Sequence, residues 1–132
     1  MYEKPLPVID SDSKPYWDAA KEGKLLIQRC KDTGKHFFYP RPFVPGTGGR
    51  NIEWVEAAGT GVIYSCTVAY RAGPAFADDV PFVVAIVTLE EGPRMLSNVV
   101  TDDPESVKIG DKVKVVFDKV TEEVTLPKFQ VI

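Results

Sequence analysis

The chain has one histidine, His36, and any acid–base or nucleophilic chemistry has to be built around it or without it. A hydrolytic triad needs a nucleophile, an imidazole base and an acid that orients the base. His36 falls beside Lys35 in a short hairpin pattern, where a solvated imidazole is the simpler reading. Acidic pairs occur at Asp78-Asp79, Glu90-Glu91, Asp102-Asp103 and Glu122-Glu123, but all lie in turn or loop sequence, where solvation explains them without general acid or base work. Cys66 sits inside an apolar strand pattern and reads as a small buried hydrophobe. Cys30 has only Arg29 and Lys31 as activating neighbours. No phosphate loop, dinucleotide fingerprint or metalloprotease motif is present. The residues point away from catalysis by this chain unaided, and none is assigned a catalytic role.

Binding chemistry is better represented. From Lys24 to Arg50 six basic residues (Lys24, Arg29, Lys31, Lys35, Arg41, Arg50) accompany one acid, Asp32, in a chain of formal net charge −3. Such a segment can face an anion, or it can be a solvated basic loop. Arg41 stands between Pro40 and Pro42, and Arg94 follows the Gly92-Pro93 turn. A guanidinium on a rigid turn suits a phosphate or carboxylate, and a surface ion pair is the alternative for both, the favoured one for Arg94.

These residues are positioned by a chain long enough, at 132 residues and 44% hydrophobic, to bury a core without disulfides. The best-patterned stretch is Pro81 to Thr101. Phe82 to Leu89 is apolar and β-branched, Glu90 to Pro93 is turn chemistry, and Arg94 to Val100 is apolar again, which predicts an antiparallel hairpin. Val83 to Val87 is apolar at every position, as in a strand covered on both faces. With Val62 to Tyr70, Lys112 to Lys119 and Val124 to Phe129 the count reaches five strands, that of a small Greek-key barrel such as an OB-fold. Asp103-Pro104-Glu105 supplies a helical turn between the third and fourth of them, and Arg71 to Val80 is a longer loop.

Ahead of the barrel, Met1 to Asp12 reads as an extended arm. Ser13 caps a short helix with Pro15 in its first turn and Gly23 at its stop, and Tyr16, Trp17 and Ala20 share the face that must dock. Lys24 to Cys30 and Lys35 to Tyr39 then form a hairpin around Lys31 to Gly34, and Asn51 to Glu56 adds a third strand. The N-terminus lacks a signal-peptide core and no run reaches membrane-spanning length, so a soluble, cytoplasmic protein with reduced thiols is expected and no membrane partner.

Tyr16-Trp17, Gly23-Lys24-Leu25, Arg29-Cys30, Tyr39-Pro40-Arg41, Glu53-Trp54, Gly59-Thr60-Gly61, Leu89 to Arg94, Ile109 to Val113 and Leu126 to Phe129, in this order, resemble one family over nearly the whole chain. It comprises acyl-CoA-associated OB-fold proteins with an N-terminal rubredoxin-like zinc ribbon, catalogued as domain of unknown function thirty-five. The resemblance implies a mainly β fold: an arm and helix over residues 1–23, a ribbon over 24–58, and a five-stranded OB-fold domain over 59–132. It also shows a departure. The family usually carries two CxxC pairs, and the matching positions are Cys30 and Thr33, then Val44 and Thr47. Thr and Val give zinc no strong donor. A ribbon without metal is expected, with no cofactor, held instead by Phe37, Phe38, Tyr39 and Trp54.

In function, the resemblance implies a non-catalytic accessory subunit that binds a thiolase-superfamily partner and helps hold an acyl-CoA substrate in acyl transfer, condensation or retro-aldol chemistry. Exposed aromatics Phe37, Phe38, Tyr39 and Trp54 would form the docking surface, with Lys24, Arg29, Arg41, Arg50 and Arg94 as CoA or partner contacts; a homo-oligomer stays open. The alternative is a nucleic-acid-binding OB module with stacking aromatics and a basic groove. Residues 51–132 carry seven basic against thirteen acidic residues, which argues against that alternative. An autonomous thioesterase is the third reading, and it lacks a catalytic constellation.

Overall fold

The protein is described by a computed structural model over residues 2–132; Met1, the first residue of the expected arm, lies outside the described residues. The helix α1 (Lys14–Lys21) starts where Ser13 predicts, with Pro15 in its first turn. Ser13 does not cap it in the expected way. Its hydroxyl, 1% exposed, donates to Asp10 Oδ1 at 2.7 Å, and the same carboxylate oxygen accepts the Ser13 N–H at 2.9 Å. The entry to the helix is thus fixed by a carboxylate three residues upstream. Gly23, at φ +77°, turns the chain out of the helix and donates to the Ala20 carbonyl. Tyr16, Trp17 and Ala20 are buried as expected, together with Ala19.

The ribbon is a three-stranded antiparallel sheet in the order β2-β1-β3, from β1 (Leu26–Cys30), β2 (His36–Phe37) and β3 (Ile52–Glu56). The returning strand, expected over Lys35 to Tyr39, holds the ladder for only two residues. Phe38 and Tyr39 leave it because their rings belong to another contact: each packs edge-on against Tyr16, with centroids 5.6 Å away.

Five strands close the barrel: β4 (Thr60–Ala69), β5 (Phe82–Leu89), β6 (Arg94–Val99), β7 (Lys112–Lys119) and β8 (Thr125–Val131), in the order β4-β5-β6-β8-β7. All ladders are antiparallel except the one joining β6 to β8 at Val99 and Phe129. The hairpin of Phe82 to Val99 lies where its sequence pattern puts it. Along β5, Val83, Ala85, Val87 and Leu89 are buried while Phe82, Val84, Ile86 and Thr88 are half-buried, so the apolar run is fully covered on one face only. Single turns of 3₁₀ helix occur at Pro74–Phe76 and Pro104–Ser106, inside the two connections the sequence marks as distinctive.

One core unites the three parts. Ile63, Val83, Val87, Met95, Val113 and Phe129 fill the barrel and continue into Tyr16 and Trp17 of α1 and Leu25 and Ile27 of the ribbon. The helix lies against β1, β7 and β8, which is how a two-turn element too short to persist alone is held.

Candidate functional site

The ribbon tip is built from two matched turns. Gly34 N–H bonds to the Cys30 carbonyl at 2.8 Å, and Gly48 N–H to the Val44 carbonyl at 2.9 Å. Gly34 and Gly48 both have positive φ, 77° and 72°, which a side chain would strain. The spacing is therefore the same in each: Cys30-x-x-Thr33-Gly34 and Val44-x-x-Thr47-Gly48. Thr33, Val44 and Thr47 line one recess, and Cys30 and Val44 pack with Phe37 in a small cluster of their own. Hydrogen bonds from Thr33, its hydroxyl first, hold the Cys30 thiol below its ordinary pKa. The four positions that the sequence resemblance singles out do converge on one place.

The aromatic surface expected on the ribbon is corrected by burial. Phe37 is 9% exposed and belongs to the Cys30 cluster, while Phe38 and Trp54 are half-buried against the main core. Tyr39 is the one exposed member of the four, at 39%, and its hydroxyl accepts the Trp17 indole N–H at 3.1 Å. Three aromatics in a row beside a turn, with a fourth on the neighbouring strand, look like a sticky face in sequence. In the fold they join α1 to the ribbon.

The basic residues divide in two. Arg29 donates from Nη1 to Glu53 Oε2 at 2.5 Å across β1 and β3, so its charge is matched inside the sheet. Lys24, Arg41 and Arg50 are exposed. Arg50 lies over the Phe43 ring, 4.3 Å from its centroid. Arg41 is fixed by its backbone, with N–H donating to Gln28 Oε1 at 2.7 Å and its carbonyl accepting from Gln28 Nε2 at 2.9 Å. Gln28, 5% exposed in β1, is the residue the sequence reading passed over. A lone buried glutamine in an apolar strand was the signal. Arg94, exposed, belongs to the barrel and stacks on Tyr64.

Also unforeseen is a groove of about 460 Å³ at one end of the barrel. Phe82, Val99 and Leu126 are part of its lining, with Tyr2 and Lys4 of the arm on one side. Two ion pairs sit on it, Lys4 with Asp79 and Lys128 Nζ with Asp118 Oδ2 at 2.7 Å. Neither this groove nor the ribbon tip brings together a nucleophile, a base and an acid. His36 is half-buried in β2.

Comparison with known proteins places these features. Residues 17–52 match the model of the ChsH2 rubredoxin-like zinc ribbon domain, and residues 54–118 that of the ChsH2 C-terminal OB-fold domain. A DUF35 domain-containing scaffold protein of Methanothermobacter thermautotrophicus is 42% identical over 100 residues, 75% of either chain. A probable enoyl-CoA hydratase alpha subunit of Thermomonospora curvata is 39% identical over 128 residues, 96% of this chain; the match spans only 40% of that relative's length. Among solved structures, a chain of the "Ltp2-ChsH2(DUF35) aldolase" superposes with a TM-score of 0.83 at 38% identity, covering 96% of this chain and 98% of that one.

The ribbon match corrects the expectation of a chain that takes no zinc: residues 17–52 fall in a zinc ribbon domain, a class that suggests zinc binding. The residues at the matched turns are Cys30, Thr33, Val44 and Thr47; only Cys30 offers a strong donor, which does not fit a tetrahedral set of thiolate and imidazole ligands. Among the described residues no group of three or more His, Cys, Asp and Glu comes together. No role of the ribbon is therefore derived through the metal.

Proposed function

The chain belongs to the DUF35 family, and on that premise we propose that it is a non-catalytic accessory subunit. It binds a thiolase-superfamily partner that supplies the reacting groups, and it helps hold an acyl-CoA substrate in acyl transfer, condensation or retro-aldol chemistry. The observation that carries this reading is the match, over nearly the full length of both chains, to a solved chain of the Ltp2-ChsH2(DUF35) aldolase. The name of the Thermomonospora relative, an enoyl-CoA hydratase subunit, supports a coenzyme A thioester as the substrate class.

The residues are consistent with this division of labour. The exposed cations Lys24, Arg41 and Arg50 stay on the ribbon, where they suit the phosphates of coenzyme A, and Arg29 is already neutralised by Glu53. The partition into arm and helix, ribbon over 24–58 and barrel over 59–132 is part of the same proposal. The test is reconstitution with the thiolase-like protein of the same host, measuring acyl-CoA turnover by each protein alone and by the mixture. Turnover confined to the mixture is expected. Turnover by this chain alone, or equal turnover by the partner alone, contradicts the proposal.

A further inference from the structure

Resting on the accessory-subunit reading, we propose that the outer face of β4, β5 and β6 is the seat of the partner, and that the partner offers it an apolar patch rimmed with carboxylates. With Phe37, Phe38 and Trp54 turned inward, the ribbon has lost the docking surface its sequence suggests. The barrel has one instead. Val62 pairs with Thr88, and Thr88 with Arg94; Ser65 pairs with Ile86, and Ile86 with Leu96. Residues paired across antiparallel strands share a face, so these form two adjacent rows on the outside of the sheet.

A β-bulge between Ile63 and Ser65 sets Tyr64 into the second row as an extra residue. Val62 and Tyr64 of β4 and Leu96 of β6 are 41%, 51% and 66% exposed, and the half-buried Ile86 of β5 lies between them, so the apolar surface runs across the three strands. Monomeric proteins seldom leave such a surface open without a use for it. The Arg94 guanidinium lies 3.7 Å from the Tyr64 ring centroid, and Tyr and Arg are both residue types enriched at interface hot spots.

The charges choose the occupant. Lys112 and Lys114 of β7 pair with Val62 and Thr60, so with Arg94 three cations edge the apolar rows. The nearby acids leave the patch an excess of positive charge. Glu90, whose N–H donates to the Thr60 carbonyl, offsets one of the three cations, while Asp111 Oδ2 accepts the Lys108 N–H, Glu91 Oε2 accepts the Ala58 N–H and Asp118 pairs with Lys128, each bonded to a group outside the two rows. A second copy of the chain docking here about a twofold axis would set this cationic patch against itself. A partner surface with carboxylates around an apolar centre meets it with opposite charge.

The experiment measures the affinity of immobilised thiolase-like partner for the whole chain and for Leu96→Asp, Tyr64→Ser, Arg94→Glu and the control Val8→Asp, an apolar residue 83% exposed elsewhere. Leu96→Asp and Arg94→Glu are expected to weaken binding about tenfold or more, and Val8→Asp to leave it unchanged, with unfolding midpoints close to wild type. Should Leu96→Asp lose its fold, Tyr64→Ser and Arg94→Glu still decide. If the unaltered chain fails to bind, the accessory reading falls and takes this proposal with it. If it binds and the three face variants bind as tightly, only this proposal is overturned. Loss of self-association with partner affinity intact also overturns it, since the face would then join two copies.

Discussion

At the scale of single residues, two polar side chains, Gln28 and Asp10, hold backbone groups in place. Gln28 satisfies both backbone groups of Arg41 from inside the ribbon. Gln28→Ala strands a donor and an acceptor, and the expected loss is about 2 kcal/mol of stability by urea unfolding. Asp10 gives a pH signature. The Ser13 hydroxyl, followed by the Ser13 N–H, holds its carboxyl below the ordinary value of 3.8. The folded pKa is the lower one, so the unfolded chain binds more protons through this interval and stability rises with pH across it. The contribution is complete above about pH 3.8 and disappears as the pH falls through the folded value. Asp10→Asn mimics the protonated form: wild type is expected to lead it in thermal midpoint at pH 7 and to lose that lead progressively as the pH falls below the ordinary carboxylate value. A lead that stays constant with pH contradicts the assignment. Ser13 was legible as a helix boundary, but its bond to Asp10 was not, because side-chain partners three residues upstream leave no periodic trace.

At the scale of elements, α1 depends on an aromatic knot in which Tyr16 contacts Trp17, Phe38 and Tyr39. Trp17→Ala removes the largest ring and the hydrogen bond to Tyr39, and about 3 kcal/mol or more of stability is expected to go with it. Faster amide exchange in α1 is the specific readout. The joint of β4 with β5 and β7 rests on Gly61, where a Cβ would lie 2.5 Å from the Thr88 carbonyl oxygen and 2.8 Å from Val87 Cγ1. Backbone cannot yield as a flexible side chain can, so Gly61→Ala is expected to lower the urea midpoint clearly while Gly73→Ala, with open space around it, leaves it in place. The strands were legible because hydrophobic period and turn residues agree over Phe82 to Val99. The exposure of Phe37, Phe38 and Trp54 was misread because local pattern shows that a residue is apolar without showing which distant helix covers it. The outer rows of β4 to β6 were hidden for the converse reason: the β-bulge that brings out Tyr64 exists only in the pairing of strands.

At the scale of the whole molecule, helix, ribbon and barrel share one core, yet the chain assembles no set of reacting groups among its described residues. Its exposed features are of a kind that adheres: ribbon cations at one place, an apolar and cationic barrel face at another. The family resemblance was readable from short motifs in order, since those motifs are the docking aromatics, turns, glycines and strand residues that the two domains need. The ribbon's class needed the domain match, because three of its four ligand positions hold no thiol. The most direct test of the central claim is the composition of the native assembly recovered from the host at gentle salt. This chain is expected to elute with a thiolase-superfamily protein in fixed stoichiometry, at a mass above its own 14.6 kDa. Elution with no such protein, while the isolated chain turns over acyl-CoA, would contradict it.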